Sequence, residues 1–199
     1  MRVAAKGRPK PARKARKPRA DAERNRLRLL EIARATFADE GPAASLEEIA
    51  AAAGLGIGTL YRHFPTRDAL IEAVYRNESE QLFQAAARLA KKHPPVAALR
   101  EWLLVFVTYV DAKHGMAEVL NSLAGGASAL YAHSGAQMKQ AIDKLVQDAV
   151  RSGELRWNRD PLDILRALAG VMGKNAGPES KQAARHLVDI LIAGMRTKT

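Results

Sequence analysis

The sequence predicts an all-α protein: an N-terminal three-helix unit containing a helix-turn-helix, then a larger C-terminal helical bundle. Three observations carry this prediction. No stretch sustains the period-2 alternation of a half-buried strand, and β-branched residues are sparse beside Ala, Leu and Arg. From Asp21 onward apolar residues recur at helical spacing. Gly and Pro part the periodic stretches, at Gly41-Pro42, Gly54, Pro65, Pro94-Pro95, Gly125-Gly126, Gly153, Pro161 and Gly177-Pro178.

The first helix is expected from Asp21 to Glu40, with Leu29, Leu30, Ala33 and Phe37 on one face. A second begins at Ser45, where Ser45-Leu46-Glu47-Glu48 has the form of a capping box: the serine oxygen accepts from a free amide and Glu48 reaches back. It ends at Gly54. A third spans Ile57 to Phe64, closed by Pro65. A fourth takes Thr66 as its cap, carries Asp68 in its first turn and runs to Lys92. Five more follow at about 96–113, 116–123, 127–152, 160–174 and 179–196. The expected organisation is a disordered basic arm over 1–20, a helix-turn-helix domain over 21–66 and a helical regulatory and dimerisation domain over 67–199.

Composition narrows the function. A chain of 199 residues with 47% hydrophobic content can build a core without staples, and the absence of cysteine excludes disulfides and thiol-held metal sites. The most apolar run, Trp102 to Val110, is about half the roughly 20 residues a membrane helix needs. No apolar run follows the basic N-terminus, so no secretory signal is read and a cytoplasmic location is expected. The net charge of +11 is uneven: residues 1–20 carry nine Lys and Arg with no acid, whereas residues 21–75 have six basic and nine acidic side chains. The basicity belongs to the arm.

The stretch 46–65, LEEIAAAAGLGIGTLYRHFP, is the informative one. Two helices cross closely only if the first offers a small residue, the turn a left-handed one and the second helix an apolar anchor. Ala50, Gly54 and Leu60 meet those requirements, with Ile49, Ala53, Leu55 and Ile57 around them. The second helix then presents Gly58, Thr59, Tyr61, Arg62 and His63, and its N-terminus carries no acid. Such a helix suits the major groove. Arg62 suits a bidentate contact to guanine, worth about 1–3 kcal/mol of discrimination. Thr59, Tyr61 and His63 suit phosphates, which set register. Packing alone is the plainer reading of such a hairpin.

On these residues, and on LEIARATFADEG and GIGTLYRHFPTRDAL in particular, the run from Leu29 to Leu70 resembles the DNA-binding domain of the TetR family of bacterial regulators. The remaining body is loosely similar to the SbtR-like subgroup. The resemblance implies a helical homodimer on double-stranded DNA, commonly a repressor released by a small-molecule effector. It implies that Thr59, Tyr61 and His63 hold the DNA backbone, that Ile57, Gly58 and Arg62 sit where bases are read, and that Arg67 contacts phosphate. Ser45, at the cap, is counted among the DNA-binding candidates. Two departures stand out. Pro42 replaces an aromatic or aliphatic residue, and Gly56-Ile57 replaces a more polar pair, leaving fewer side chains to read bases.

Other features carry weaker expectations. Lys6-Gly7-Arg8-Pro9-Lys10 resembles the core of an AT-hook, but an arm that tracks phosphates without reading sequence is the preferred reading, and a purely solubilising tail is the third. Trp102, Phe106, Tyr109, Tyr131 and Met138, with Met116 and Leu130, are candidates for a ligand pocket or for plain core. Trp157 is expected in a loop, packed on the body. Leu162, Leu165, Leu168, Ala169 and Met172 form one apolar face, and Ala183, Leu187, Ile190, Leu191 and Gly194 another; paired across a two-fold axis they are expected to form a four-helix dimer interface. The histidines lack metal-ligand spacing, and no nucleophile–base pair or phosphate loop points to an enzyme or a cofactor. The rival reading is an architectural DNA-binding dimer of low specificity, driven by the arm.

Overall fold

The computed structural model describes residues 18–173 and 177–197. The basic arm expected over 1–20 therefore lies outside the described residues up to position 17, and its last three residues begin the first helix instead. Among the described residues the order is α1 (Pro18–Glu40), a 3-10 turn (Gly41–Ala43), α2 (Leu46–Ala52), α3 (Ile57–His63), α4 (Arg67–Lys92), α5 (Pro95–Gly115), α6 (Ala117–Asn121), α7 (Ser128–Arg151), α8 (Leu162–Met172) and α9 (Pro178–Met195). The helical reading holds, and no helix among the described residues is long and apolar enough to cross a membrane.

Local signals explain the starts and stops. Ser45 caps α2 by accepting from the Glu48 amide at 3.3 Å, but the other half of the capping box is absent: the Ser45 hydroxyl donates to Glu47 Oε2 at 3.1 Å. Thr66 caps α4 by accepting from the Ala69 amide at 3.1 Å.

Two cores form. One holds Leu29, Leu30 and Phe37 of α1, Ile49 of α2 and Leu60 of α3. The other holds Leu99, Trp102, Leu103 and Phe106 of α5 with buried faces of α7, α8 and α9. The boundary between them does not fall at 66/67. Leu70, Ile71, Val74 and Tyr75 of α4 belong to the first core, as do Met116, Val119, Leu120 and Leu123 around α6, whereas Leu82, Ala85 and Ala86 of α4 belong to the second. Helical periodicity marks which face of α4 is buried; it does not say that the covering layer changes partway along.

The junction is pinned by polar contacts. The Arg67 guanidinium donates to Ala44 O at 2.6 Å and to Pro42 O at 2.8 Å, and lies over the Phe37 ring at 5.2 Å. It ties α4 to the turn after α1 through these two donors. Asp68 accepts from the Ala124 amide at 3.2 Å, fastening the same end of α4 to the α6–α7 turn.

In the body, α9 is clamped to α5 by Arg100–Asp189 and Lys181–Asp111, each at 2.7 Å. The Arg100 hydrogen bond holds the Asp189 carboxyl below its ordinary range. Leu155 and Arg196 form an antiparallel bridge, with the Arg156 amide donating to Met195 O at 2.9 Å. A pairing this short leaves no alternation to read in sequence. Trp157 lies outside the helices and packs on the body core, as expected.

The faces of α8 and α9 divide differently from expectation. Leu165, Leu168 and Met172 are buried within the chain, and α9 turns Ala184, Val188, Ile192 and Met195 inward. What remains outward is Ala167, Gly170 and Val171 on α8, and Ala183, Ile190 and Gly194 on α9. An amphipathic helix with apolar residues on two sides has two candidate faces, and only packing decides which one the chain uses.

Two substitutions test this junction. Leu120→Ala removes a fully buried side chain and is expected to cost about 2–5 kcal/mol. If α6 belongs to the N-terminal core, hydrogen exchange accelerates in α1–α3 before α8–α9; acceleration confined to the body would contradict the shared core. Arg67→Ala removes two charge-assisted bonds and is expected to cost about 1.5–3 kcal/mol in urea unfolding. Lysine does not restore both bonds, because it lacks the planar fork.

Candidate nucleic-acid interface

The helix-turn-helix is held by the packing its sequence anticipates. Ile49, Ala50, Ala53 and Leu60 are each 1% exposed or less. Gly54 has φ +67°, a left-handed conformation that costs an L-residue about 1–2 kcal/mol, so the turn requires glycine. A Cβ there would lie 3.7 Å from the Arg28 guanidinium, which brings an α1 arginine to the turn. Sequence reasoning passed over Arg28. Its only signal was its place one residue before the buried pair Leu29-Leu30.

The outward side of α3 gathers most of the expected DNA-contacting residues. Tyr61 is 44% exposed, Arg62 and Gly58 are exposed, and Thr59 and His63 are half-buried. Arg62 folds back along its own helix: Nε donates to Gly58 O at 3.2 Å and an Nη to Thr59 Oγ1 at 2.9 Å. These bonds are exposed and local, so they restrain the guanidinium without burying it. Nothing lies within 4 Å of a Cβ built at Gly56 or Gly58, so the backbone is open there. No acidic residue stands in α3.

The remaining candidates are placed differently. Ile57 is half-buried and packs on the N-terminal core, which leaves little of it to face a base. Ser45 is half-buried and already engaged in the cap of α2. Arg67 is turned to Pro42 and Ala44, as described above.

The body contains a cleft of about 390 Å³ between α4 and α7, and it is not lined by the five residues expected there. Trp102 is fully buried, its indole donates to Leu82 O at 2.9 Å, and it stacks with Phe106 at 6.2 Å. Both rings fill the core. Met138 packs against the same core, and Met116 lies in the N-terminal one. Tyr131 sets its ring edge against Tyr75 at 5.6 Å and lies under the Lys113 ammonium at 4.0 Å. Of the aromatic and Met set with Leu130, only Leu130 lines the cleft. The rest of the wall is more polar: Arg26, Tyr75, Arg76, His133, Ser134 and Gln137 are part of it.

A buried hydroxyl chain closes the cleft floor. The Tyr75 and Ser134 hydroxyls are 2.6 Å apart, and Tyr109 donates to the Tyr75 hydroxyl at 3.1 Å. Three helices meet in this chain, because the tyrosines stand on α4 and α5 and the serine on α7. Burial pushes the Tyr109 phenol above its ordinary range, so it stays a neutral donor. Tyr109 itself does not line the cleft and meets it through the hydroxyls of its floor, Tyr75 among them.

Comparison with known proteins agrees with this geometry. Residues 29–74 match the model of bacterial regulatory proteins of the tetR family, and residues 94–197 match the SbtR-like transcriptional regulator C-terminal domain. The HTH-type transcriptional regulator SrpR of Pseudomonas putida is 31% identical over 73% of this chain and 70% of its own length. The HTH-type transcriptional repressor LfrR of Mycolicibacterium smegmatis is 40% identical over 39% of this chain, a match that spans 41% of that relative. A crystal structure of a TetR transcriptional regulator from Streptomyces coelicolor superposes with a TM-score of 0.79 at 38% identity, covering 87% of this chain and 99% of that one. With a helix-turn-helix that presents Tyr61 and Arg62 and a C-terminal half that matches throughout, the chain belongs to the TetR family of DNA-binding transcriptional regulators, with an SbtR-like C-terminal domain.

Proposed function

We propose that the protein is a dimeric repressor that reads a palindromic operator with α3 and is released by a small molecule held in its body. The observation that carries the DNA reading is the outward side of α3: an exposed aromatic, a restrained arginine, two open glycines and no acid. Arg62 is the residue assigned to a base edge, and Tyr61, Thr59 and His63 to phosphates. Ser45 and Ile57 are left a supporting part, setting the angle at which α3 is presented. The repressor reading draws on LfrR, a repressor by its name. No catalytic step is part of this function.

Dimerisation is supported by the apolar strip that α8 and α9 leave outward. Ile190 is 65% exposed and Val171 43% exposed, and the alanines and glycines around them would let a second copy approach closely. Two such pairs form a four-helix interface across a two-fold axis. The recognition helices then meet half-sites about 34–36 Å apart, or a little more.

Selection from a random duplex library at near-physiological salt tests the reading. The expected result is one palindrome, lost on Arg62→Ala and weakened on Tyr61→Ala, with folding intact in both. Recovery of no motif, with binding that collapses as salt rises, would replace it by low-specificity architectural binding through the arm. In the same assay, removing residues 1–17 is expected to flatten the salt dependence and leave the selected sequence unchanged, because phosphate contacts release counterions without reading bases. An unchanged salt slope would exclude the arm from the interface.

Ile190→Glu tests the dimer separately. It places a charge in the proposed interface at a position outside the chain's own core, so sedimentation is expected to show folded monomer in place of dimer. A dimer that persists unchanged would place the interface elsewhere.

A further inference from the structure

Arg28 is exposed on α1, and its guanidinium lies beside the turn of the helix-turn-helix. A Cβ built at Gly54 would meet its two terminal nitrogens at 3.7 Å and its central carbon at 3.8 Å. Gly54 is held at φ +67°, so the turn the guanidinium leans on is fixed by the fold. Two residues later Gly56 caps α3, and the space around that cap is open. A recognition helix meets base edges with its N-terminal residues, so the turn that precedes it comes to the edge of the groove, where the phosphates run. Arg28 therefore stands at the rim of the DNA-reading surface, beside the residues of α3 that face the bases.

Its neighbours on α1 are engaged elsewhere. Arg24 pairs with Asp21, Arg34 lies 3.7 Å from Glu78, and Arg26 covers the Phe64 ring at 5.5 Å and lines the α4–α7 cleft. Arg28 makes no ion pair and no hydrogen bond among the described residues. Glu31, one turn further along α1, is exposed and does not pair with it. Glu47 and Glu48 stand in the first turn of α2, at the far end of that helix from Gly54. The balance of charge gives this cation weight. Residues 21–75 have six basic and nine acidic side chains, so the folded DNA-binding unit meets a polyanion with acid in excess. A guanidinium left unpaired on its DNA side offsets that repulsion where it is felt most.

We infer that Arg28 holds a backbone phosphate of the operator beside the turn, a contact supplied by α1 and not by the two helices of the helix-turn-helix. The planar guanidinium offers parallel N–H donors to two phosphate oxygens. Such a contact sets the height and register of α3 in the groove and carries no sequence information. The inference rests on the reading of α3 as the DNA-reading helix and adds a positioning residue to it. In the dimer the contact occurs twice, once at each half-site.

The salt dependence of DNA binding tests this, measured with the full chain on the selected duplex from about 50 to about 200 mM salt. Each phosphate contact adds about 0.9 to the slope of log affinity against log salt, so Arg28→Gln is expected to flatten the slope by about 1.8 for two half-sites. Over that roughly fourfold range the wild type then loses about tenfold more affinity than the variant. The selected sequence and the Tm are expected to stay the same, because the side chain is exposed and outside both cores. Arg28→Lys is expected to keep most of the slope, since the charge remains. Arg88→Gln removes an equally exposed charge from the body half of α4 and is expected to leave the slope as it is. An unchanged slope in Arg28→Gln would overturn the proposal. So would a loss of affinity with a lowered Tm at unchanged slope, which would make Arg28 a support of the turn. Equal flattening in Arg88→Gln would reduce the effect to net charge and overturn it as well. If no palindrome is recovered, the slopes are read on random duplex, so failure of the operator reading and failure of this contact are told apart.

Discussion

Leu70, Ile71 and Val74 on one stretch of α4, and Leu82, Ala85 and Ala86 on the next, are buried in different cores. One continuous helix thus has to satisfy two hydrophobic layers, and each fully buried leucine or isoleucine contributes about 1.5–3 kcal/mol to its own layer. Because hydrogen bonds run unbroken along the helix, a tilt of one half must move the other. Ser79 stands between the two stretches, buried, with its hydroxyl turned back to Tyr75 O at 3.0 Å. Such back-bonding weakens and bends helices slightly. The molecule places its one polar break in the α4 core face where the two layers meet.

From that constraint the position of the other elements follows. α6 is five residues long and could not persist in water alone; it exists because Val119 and Leu120 are fully buried in the N-terminal core. The body therefore reaches into the DNA-binding unit at α6 and at the start of α7, while the DNA-binding unit reaches into the body through α4. Arg67 and Asp68 sit side by side at this crossing and face opposite partners, the turn after α1 and the turn after α6. A change of pose between the units has to pass through these two residues or strain them.

Much of this was legible in the sequence, and the particular residues show why. Ala50, Gly54 and Leu60 each answer a steric demand that is local, so a short window was enough to place them. Caps and breaks are local too, and Ser45, Thr66 and Pro65 fixed the starts and stops near them. What a short window did not show shares a different cause. Arg67 looks like a free cation at a helix start, and only the turn brought beside it from 23 and 25 residues upstream shows what it does. Trp102 and Phe106 announce a buried face, but a buried face does not reveal whether the space beyond it is filled. The cleft lies instead between α4 and α7, where polar residues such as Arg26 and Gln137 gave no periodic signal. On α8 the apolar stripe was found and assigned to a second copy, although the chain itself uses it.

The polarity of the cleft floor adds a constraint on how the body can respond to a ligand. Tyr75, Tyr109 and Ser134 join three helices through hydroxyls that are buried, so each must keep a partner or lose about 1–3 kcal/mol. A ligand with a hydrogen-bonding head can enter this chain by exchanging one bond for another. A wholly apolar one leaves the chain closed and can only lie above it. Tyr75 also belongs to the first core and packs its ring against Tyr131, so a shift of its hydroxyl is felt in the core that α1, α2 and α3 share. The same side chain that closes the cleft floor thus stands in the core that also holds Leu60 of α3.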